Sequence, residues 1–297
     1  MRNLSSETEN RDIAALALLP SFMILLVLVA MPTFSVALYS LQDVQMGEAS
    51  HPFVGLENFQ WALAYAPFWN ALSNTLVWVF GSVGIEMVVG VSIALLLNKN
   101  FIGRGIARAI VFAPYLIPTV VAVLVWRYMF HDVLGVVNYF LLKAGWINEP
   151  VNWLSSPKVA MMTVIIVGVW KFFPFVVLAI LGVLQAIPQD QYEAAKIDGA
   201  SEWQQFWRIT LPHLMPIFLL TTLLRSIWTF HKFDIIYLLT GGGPVGSTTT
   251  LPVLVYQKAF ADFEIGRASA LALITAFLLT ILLLIYFYLS KRVEAKQ

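Results

Sequence analysis

The chain has 297 residues, 59% hydrophobic and only 12% charged, about half the charged share of a soluble domain, which excludes an ordinary water-soluble globule and points to an integral membrane protein. A formal net charge of +1 excludes a strongly basic nucleic-acid binder. With no cysteine there is no disulfide, thiolate nucleophile or Cys-based metal site.

The start, Met1 to Arg11, mixes Glu7 and Glu9 with Arg2 and Arg11 and leads into a long apolar run without a small-residue cleavage site. It reads as an uncleaved first span. A membrane helix needs about 20 mostly apolar residues, and the stretches 13–39, 70–97, 106–129, 159–187, 213–240 and 268–289 qualify. Several contain proline (Pro20, Pro32, Pro114, Pro118, Pro174, Pro216), which membrane helices tolerate when neighbours satisfy the freed carbonyls. The expected fold class is therefore an all-α integral membrane protein of six transmembrane helices, a single membrane domain over residues 1–297.

Lys and Arg in the connections set the orientation. Arg2, Arg11, Lys99, Arg104, Arg108, Lys196, Arg208, Lys291, Arg292 and Lys296 fall on one side, against Lys143, Lys158, Lys258 and Arg267 on the other. The positive-inside rule predicts both termini and the 188–212 loop in the cytoplasm.

That loop is the most informative stretch. Tyr192 to Ile197 favours a short helix, Gly199 suits the left-handed turn that ends it, and Ser201 is placed to cap a second segment, Glu202 to Ile209. Pro212 is expected to close that segment and to open the next long helix. Glu193-Ala194-Ala195, three residues, Gly199, nine residues, Ile209, one residue, Leu211-Pro212: this pattern resembles the cytoplasmic loop of the permease subunits of bacterial ABC importers. The resemblance implies the type I importer permease fold, and a docking surface for a separate ATPase subunit at Glu193, Ala194, Ala195, Asp198, Gly199, Ile209, Leu211 and Pro212. Phe53 to Phe59, Phe112 to Pro118, Gly135 to Tyr139 and Leu239 to Pro244 are similar to segments of the maltose-type, carbohydrate-uptake branch, so the resemblance spans about Phe53 to Leu289.

In that branch the solute path is lined from three helices. The resemblance carries it onto Tyr115 and Thr119 on the third span, Gly168, Lys171, Phe172 and Phe175 on the fourth, and Arg225 and Thr229 on the fifth. Aromatic rings suit the apolar face of a sugar; hydroxyls and cations suit its hydroxyl groups. Lys171 and Arg225 stand where that branch carries neutral polar side chains, which permits an anionic solute such as a sugar-phosphate or a sulfonated glycoside. A structural pair of Glu86 with either cation is the competing reading, because buried charges usually pair. Arg127, Lys232 and Asp234 lie near the ends of spans, where snorkelling or local pairing suffices. Trp126, Tyr128, Trp228 and Tyr286 read as interfacial or interhelical rings.

Other chemistry finds no support. The Gly241–Thr248 stretch has glycines spaced as in a phosphate loop, yet Ser247 stands where the lysine belongs. His51, His131, His213 and His231 lack ligand spacing, so no metal site is expected. No catalytic residue, and no cofactor within the chain, is expected; ATP and Mg would sit on the partner ATPase. The expected partners are a second homologous permease, an ATPase dimer and an external solute-binding protein, in the bacterial inner membrane. An ion-coupled secondary transporter using Glu86 or Asp234 is the rival reading.

Overall fold

Prolines decide where the apolar helices run straight, widen or break. The computed structural model describes residue 18 and residues 20–294; the first seventeen residues, including Arg2 and Arg11, and Lys296 lie outside them. The helices are α1 (Pro20–Tyr39), α2 (Glu57–Ala64), α3 (Ala66–Asn98), α4 (Arg104–Leu116), α5 (Thr119–Met129), α6 (Val136–Lys143), α7 (Ala160–Ala186), α8 (Gln189–Ile197), α9 (Glu202–Phe230), α10 (Asp234–Thr240), α11 (Leu251–Phe260) and α12 (Ile265–Glu294). No strand occurs among the described residues, only isolated bridges of Gln42 with Phe53 and Gln45 with Glu264. Five helices (α1, α3, α7, α9 and α12) are long and apolar enough to cross a membrane, and α4 with α5 makes a sixth crossing if taken as one broken span.

That break corrects the expectation of one helix over 106–129: α4 and α5 meet at 98°. Ile117 and Pro118 are extended, with ψ of 132° and 136°. The proline ring excludes the helical conformation from the residue before it, and Pro118 has no N–H for the carbonyl of Pro114. A second correction concerns the loop after α8. Its second segment is not closed by Pro212 but runs unbroken into the fifth span as α9, through a π turn at Phe206–Thr210. The same device recurs in α1, where a π turn at Leu26–Ala30 precedes Met31-Pro32 as the other precedes Leu211-Pro212. Widening the turn moves the carbonyl four residues back away from the proline ring, so the helix survives. The expected span 213–240 also divides, with α9 ending at Phe230 and α10 starting at Asp234, whose carboxylate accepts the N–H of Ile235 at 3.0 Å.

The described chain forms two compact units. In the first, residues up to 64 with 255–274, Asn58 donates to the carbonyls of Ser40 and Gln42 at 3.0 and 2.9 Å. Trp61 lies against the cations of Lys258 and Arg267, at 5.3 and 4.8 Å from its ring. No residue of α1 described from 20 to 39 is buried. In the second unit, residues 65–254 with 275–297, α3 and α7 pack closely because glycines face bulky side chains. A methyl added at Gly168 would meet Trp78 at 2.4 Å, and one at Gly90 would meet Val176 at 2.5 Å.

Candidate functional site

Two places in the second unit carry the expected chemistry: the Glu193 loop and a polar pocket among α4, α7 and α9. The loop is built from its turn. Gly199 adopts φ +77°, a conformation that side chains disfavour, and the N–H of Ala200 returns to the carbonyl of Ala195 at 2.8 Å. Ser201 and Gln204 form a reciprocal capping box at the start of α9. Tyr192 on α8 and Thr210 in the π turn share a hydrogen bond of 2.9 Å, and Gln205 donates to the Ala200 carbonyl at 2.8 Å. These bonds tie α8 and α9 into one unit. On it Glu193, Ala194, Asp198, Gly199 and Pro212 are exposed, and Ala195, Ile209 and Leu211 half-buried. Ile197 is 87% exposed, Trp203 69% and Trp207 49%, an unusual amount of apolar surface beside a charged turn. The Glu193 carboxylate holds no ion pair among the described residues.

The pocket, of about 270 Å³, is lined by Tyr115, Phe172, Arg225, Trp228, Thr229 and Lys232. On α9, Arg225, Trp228 and Thr229 recur at i, i+3 and i+4, one face of a helix, and Lys232 follows in the break beyond its end. Arg225 is held from behind: its Nε donates to Glu86 Oε2 at 2.7 Å and its Nη2 to Glu86 Oε1 at 2.9 Å. Both side chains are almost wholly buried, and Nη2 also reaches Thr229 Oγ1 at 3.4 Å. Lys232 pairs with Asp234 at 3.4 Å. The Phe172 ring lies under both cations, 4.5 Å from the guanidinium and 4.9 Å from the ammonium, a favourable use of its negative face. Phe175 stands behind the pocket, packed on Tyr115 and Trp228.

Of the residues expected to line a solute path, Tyr115, Phe172, Arg225 and Thr229 come together here. Gly168 instead makes room for Trp78, whose Nε1 donates to the Thr229 carbonyl at 2.9 Å. Thr119 opens α5, half-buried, outside the pocket lining. Lys171 is buried directly behind the pocket wall, its ammonium 5.9 and 6.0 Å from the ring centres of Tyr115 and Phe172; it donates to the carbonyls of Pro114 at 2.8 Å, Tyr115 at 3.1 Å and Ile117. Of the two cations offered to Glu86, Arg225 takes it. Trp228 and Lys232 were not expected in the lining, although the helical spacing of Trp228 from Arg225 was there to be read.

A larger apolar groove, about 900 Å³, runs between α3, α9 and α12. Its hydroxyls on Ser92, Thr222 and Ser226 each bond a carbonyl of their own helix, and Tyr286 donates to the Leu219 carbonyl. Such a surface suits hydrocarbon and offers a sugar nothing. In the 241–250 loop the hydroxyls of Thr248 and Thr249 are turned onto the carbonyls of Gly243 and Gly242, at 2.7 and 2.8 Å, and so away from any phosphate.

Residues 86–295, which hold both the pocket and the loop, match the family of binding-protein-dependent transport system inner membrane components. The chain belongs to this family. It is 39% identical over 287 residues, 96% of each chain, to the trehalose/maltose transport system permease protein MalF of Thermococcus litoralis. It is 33% identical over 266 residues, 89% of this chain and 86% of the other, to the sulfoquinovosyl glycerol transport system permease protein SmoG of Agrobacterium fabrum. In fold it is similar to a chain of a bacterial ABC transporter involved in the import of the acidic polysaccharide alginate, with a TM-score of 0.85 at 24% identity, covering 97% and 98% of the two chains. The protein is thus a multi-pass inner-membrane permease subunit of a binding-protein-dependent ABC transporter, and ATP hydrolysis belongs to a separate subunit.

Proposed function

We propose that this permease carries a neutral carbohydrate or glycoside inward, pairing with a second, homologous permease. ATP and Mg sit on a dimer of ATPase subunits that grips the Glu193 loop at the cytoplasmic face, where both termini also lie. An external solute-binding protein delivers the solute. At about 270 Å³ the pocket falls just under the roughly 300–1,000 Å³ of complete ligand sites, which suits one wall of a path completed by the partner permease. Tyr115, Phe172 and Trp228 offer ring faces to a sugar, and Thr229 and Arg225 offer polar groups to its hydroxyls.

Charge balance carries the choice of a neutral solute. Both cations of the pocket already hold carboxylates, Arg225 with Glu86 and Lys232 with Asp234, so an anionic solute would meet no uncompensated positive charge. The relative named for sulfoquinovosyl glycerol keeps the anionic glycoside as the alternative outcome of the test. That test is ATP-dependent uptake by the complete transporter in proteoliposomes, offering trehalose or maltose beside a sulfonated glycoside. Uptake of the neutral sugar is expected; uptake of the sulfonated glycoside alone overturns the proposal.

A further inference from the structure

Lys171 is a charged residue in the middle of an apolar helix, 3% exposed and absent from the pocket lining. An ammonium has three protons to donate, and three backbone carbonyls take them: those of Pro114, Tyr115 and Ile117, at the break between α4 and α5. Two of them, those of Pro114 and Tyr115, are carbonyls that the sequence itself orphans. Pro118 cannot donate to Pro114, and the extended Ile117 and Pro118 carry the N–H of Thr119 away from Tyr115. The carbonyl end of α4 is also the negative end of its dipole, where a cation is favoured. Converging carbonyls at an unwound stretch of a membrane helix are the kind of site that elsewhere takes a free metal cation.

We propose that Lys171 is a positioning residue: its ammonium is a tethered cation that fills this carbonyl site, fixes the break in the third span, and thereby holds Tyr115 in the pocket wall. It touches no solute, since none of its protons is left to give. Tyr115 connects the two places, its carbonyl bound by Lys171 and its ring lining the pocket beside Phe175. The carbonyl site is occupied from within, so transport needs no coupling ion there. The functional half of this inference rests on the proposed solute path; the geometric half does not.

The chain has no cysteine, so Ala109→Cys on α4 and Val125→Cys on α5, both exposed, can carry spin labels that report the break in the assembled transporter. Lys171→Arg is expected to keep the single narrow distance distribution of the parent. Lys171→Met is expected to broaden or shift it, and to lower the maximal rate of ATP-driven uptake about tenfold, the order expected when one charged hydrogen-bonding partner is removed. Its half-saturating concentration of loaded binding protein stays unchanged. In Lys171→Ala, ethylammonium is expected to restore part of the lost rate. If Lys171→Met fails to assemble, Lys171→Gln decides by the same distances. An unchanged distribution in Lys171→Met or Lys171→Gln overturns the proposal, as does a loss confined to anionic solutes. Absent uptake by the parent would instead count against the transport reading, while the distances still decide the role of Lys171.

Discussion

Arg225 grips both carboxylate oxygens of Glu86, at 2.7 and 2.9 Å, joining α3 to α9 across 139 residues of sequence. The pair is buried in the same region as Trp78 and Thr229, and it turns a cation of the polar pocket into a fixed, neutralised fork. Removing either partner leaves the other charge unpaired in a poor solvent. Glu86→Gln or Arg225→Ala is therefore expected to lower the stability of the solubilised transporter by about 3–5 kcal/mol, while replacing both by Met recovers much of the loss. Thermal unfolding in detergent checks this. Single variants as stable as the parent would contradict the pairing.

Gly168 is a packing residue for Trp78 instead of a pocket residue. Gly168→Ala forces a methyl to within 2.4 Å of the indole and is expected to cost about 1–3 kcal/mol, the usual range for an overpacked core. Adding Trp78→Phe removes the clashing ring atoms and is expected to recover part of that cost, even with the bond to the Thr229 carbonyl gone. Equal stability of Gly168→Ala and the parent would place the indole elsewhere.

The turn at Gly199 can be tested without touching the pocket. A valine there must adopt φ near +77°, which costs a side-chain-bearing residue about 1–2 kcal/mol, so the angle between α8 and α9 is expected to change. Gly199→Val and Glu193→Lys are expected to insert in the membrane normally, and to leave ATPase activity without solute uptake. Normal uptake in both variants counts against the docking role.

Much of this was legible in the chain. The Glu193 pattern, the glycine turn and the Ser201 cap rest on local rules, and local rules read directly. The break at Ile117-Pro118 was only half legible. Both prolines were seen, but tolerance of proline depends on what meets the freed carbonyls, and the ammonium that meets them comes from Lys171, more than fifty residues away. Glu86 was expected to pair with one of two cations, and only packing could choose Arg225. From sequence, Trp228 reads as an interfacial or interhelical ring and Lys232 as a span-end cation for which snorkelling or local pairing suffices. The Lys232 pairing with Asp234 is present, yet both side chains also line the pocket. Trp228 shares a helix face with Arg225 and Thr229, and Lys232 is brought there by the break after Phe230. The π turns before Pro32 and Pro212 had no sequence signal beyond the prolines themselves.

The most direct test of the proposed coupling is solute uptake into proteoliposomes holding this permease and its partner permease, with and without the ATPase subunits and internal ATP, and with an imposed ion gradient. Uptake only when ATPase, ATP and loaded binding protein are all present is the expected result. Uptake driven by the ion gradient alone, without nucleotide, would contradict it.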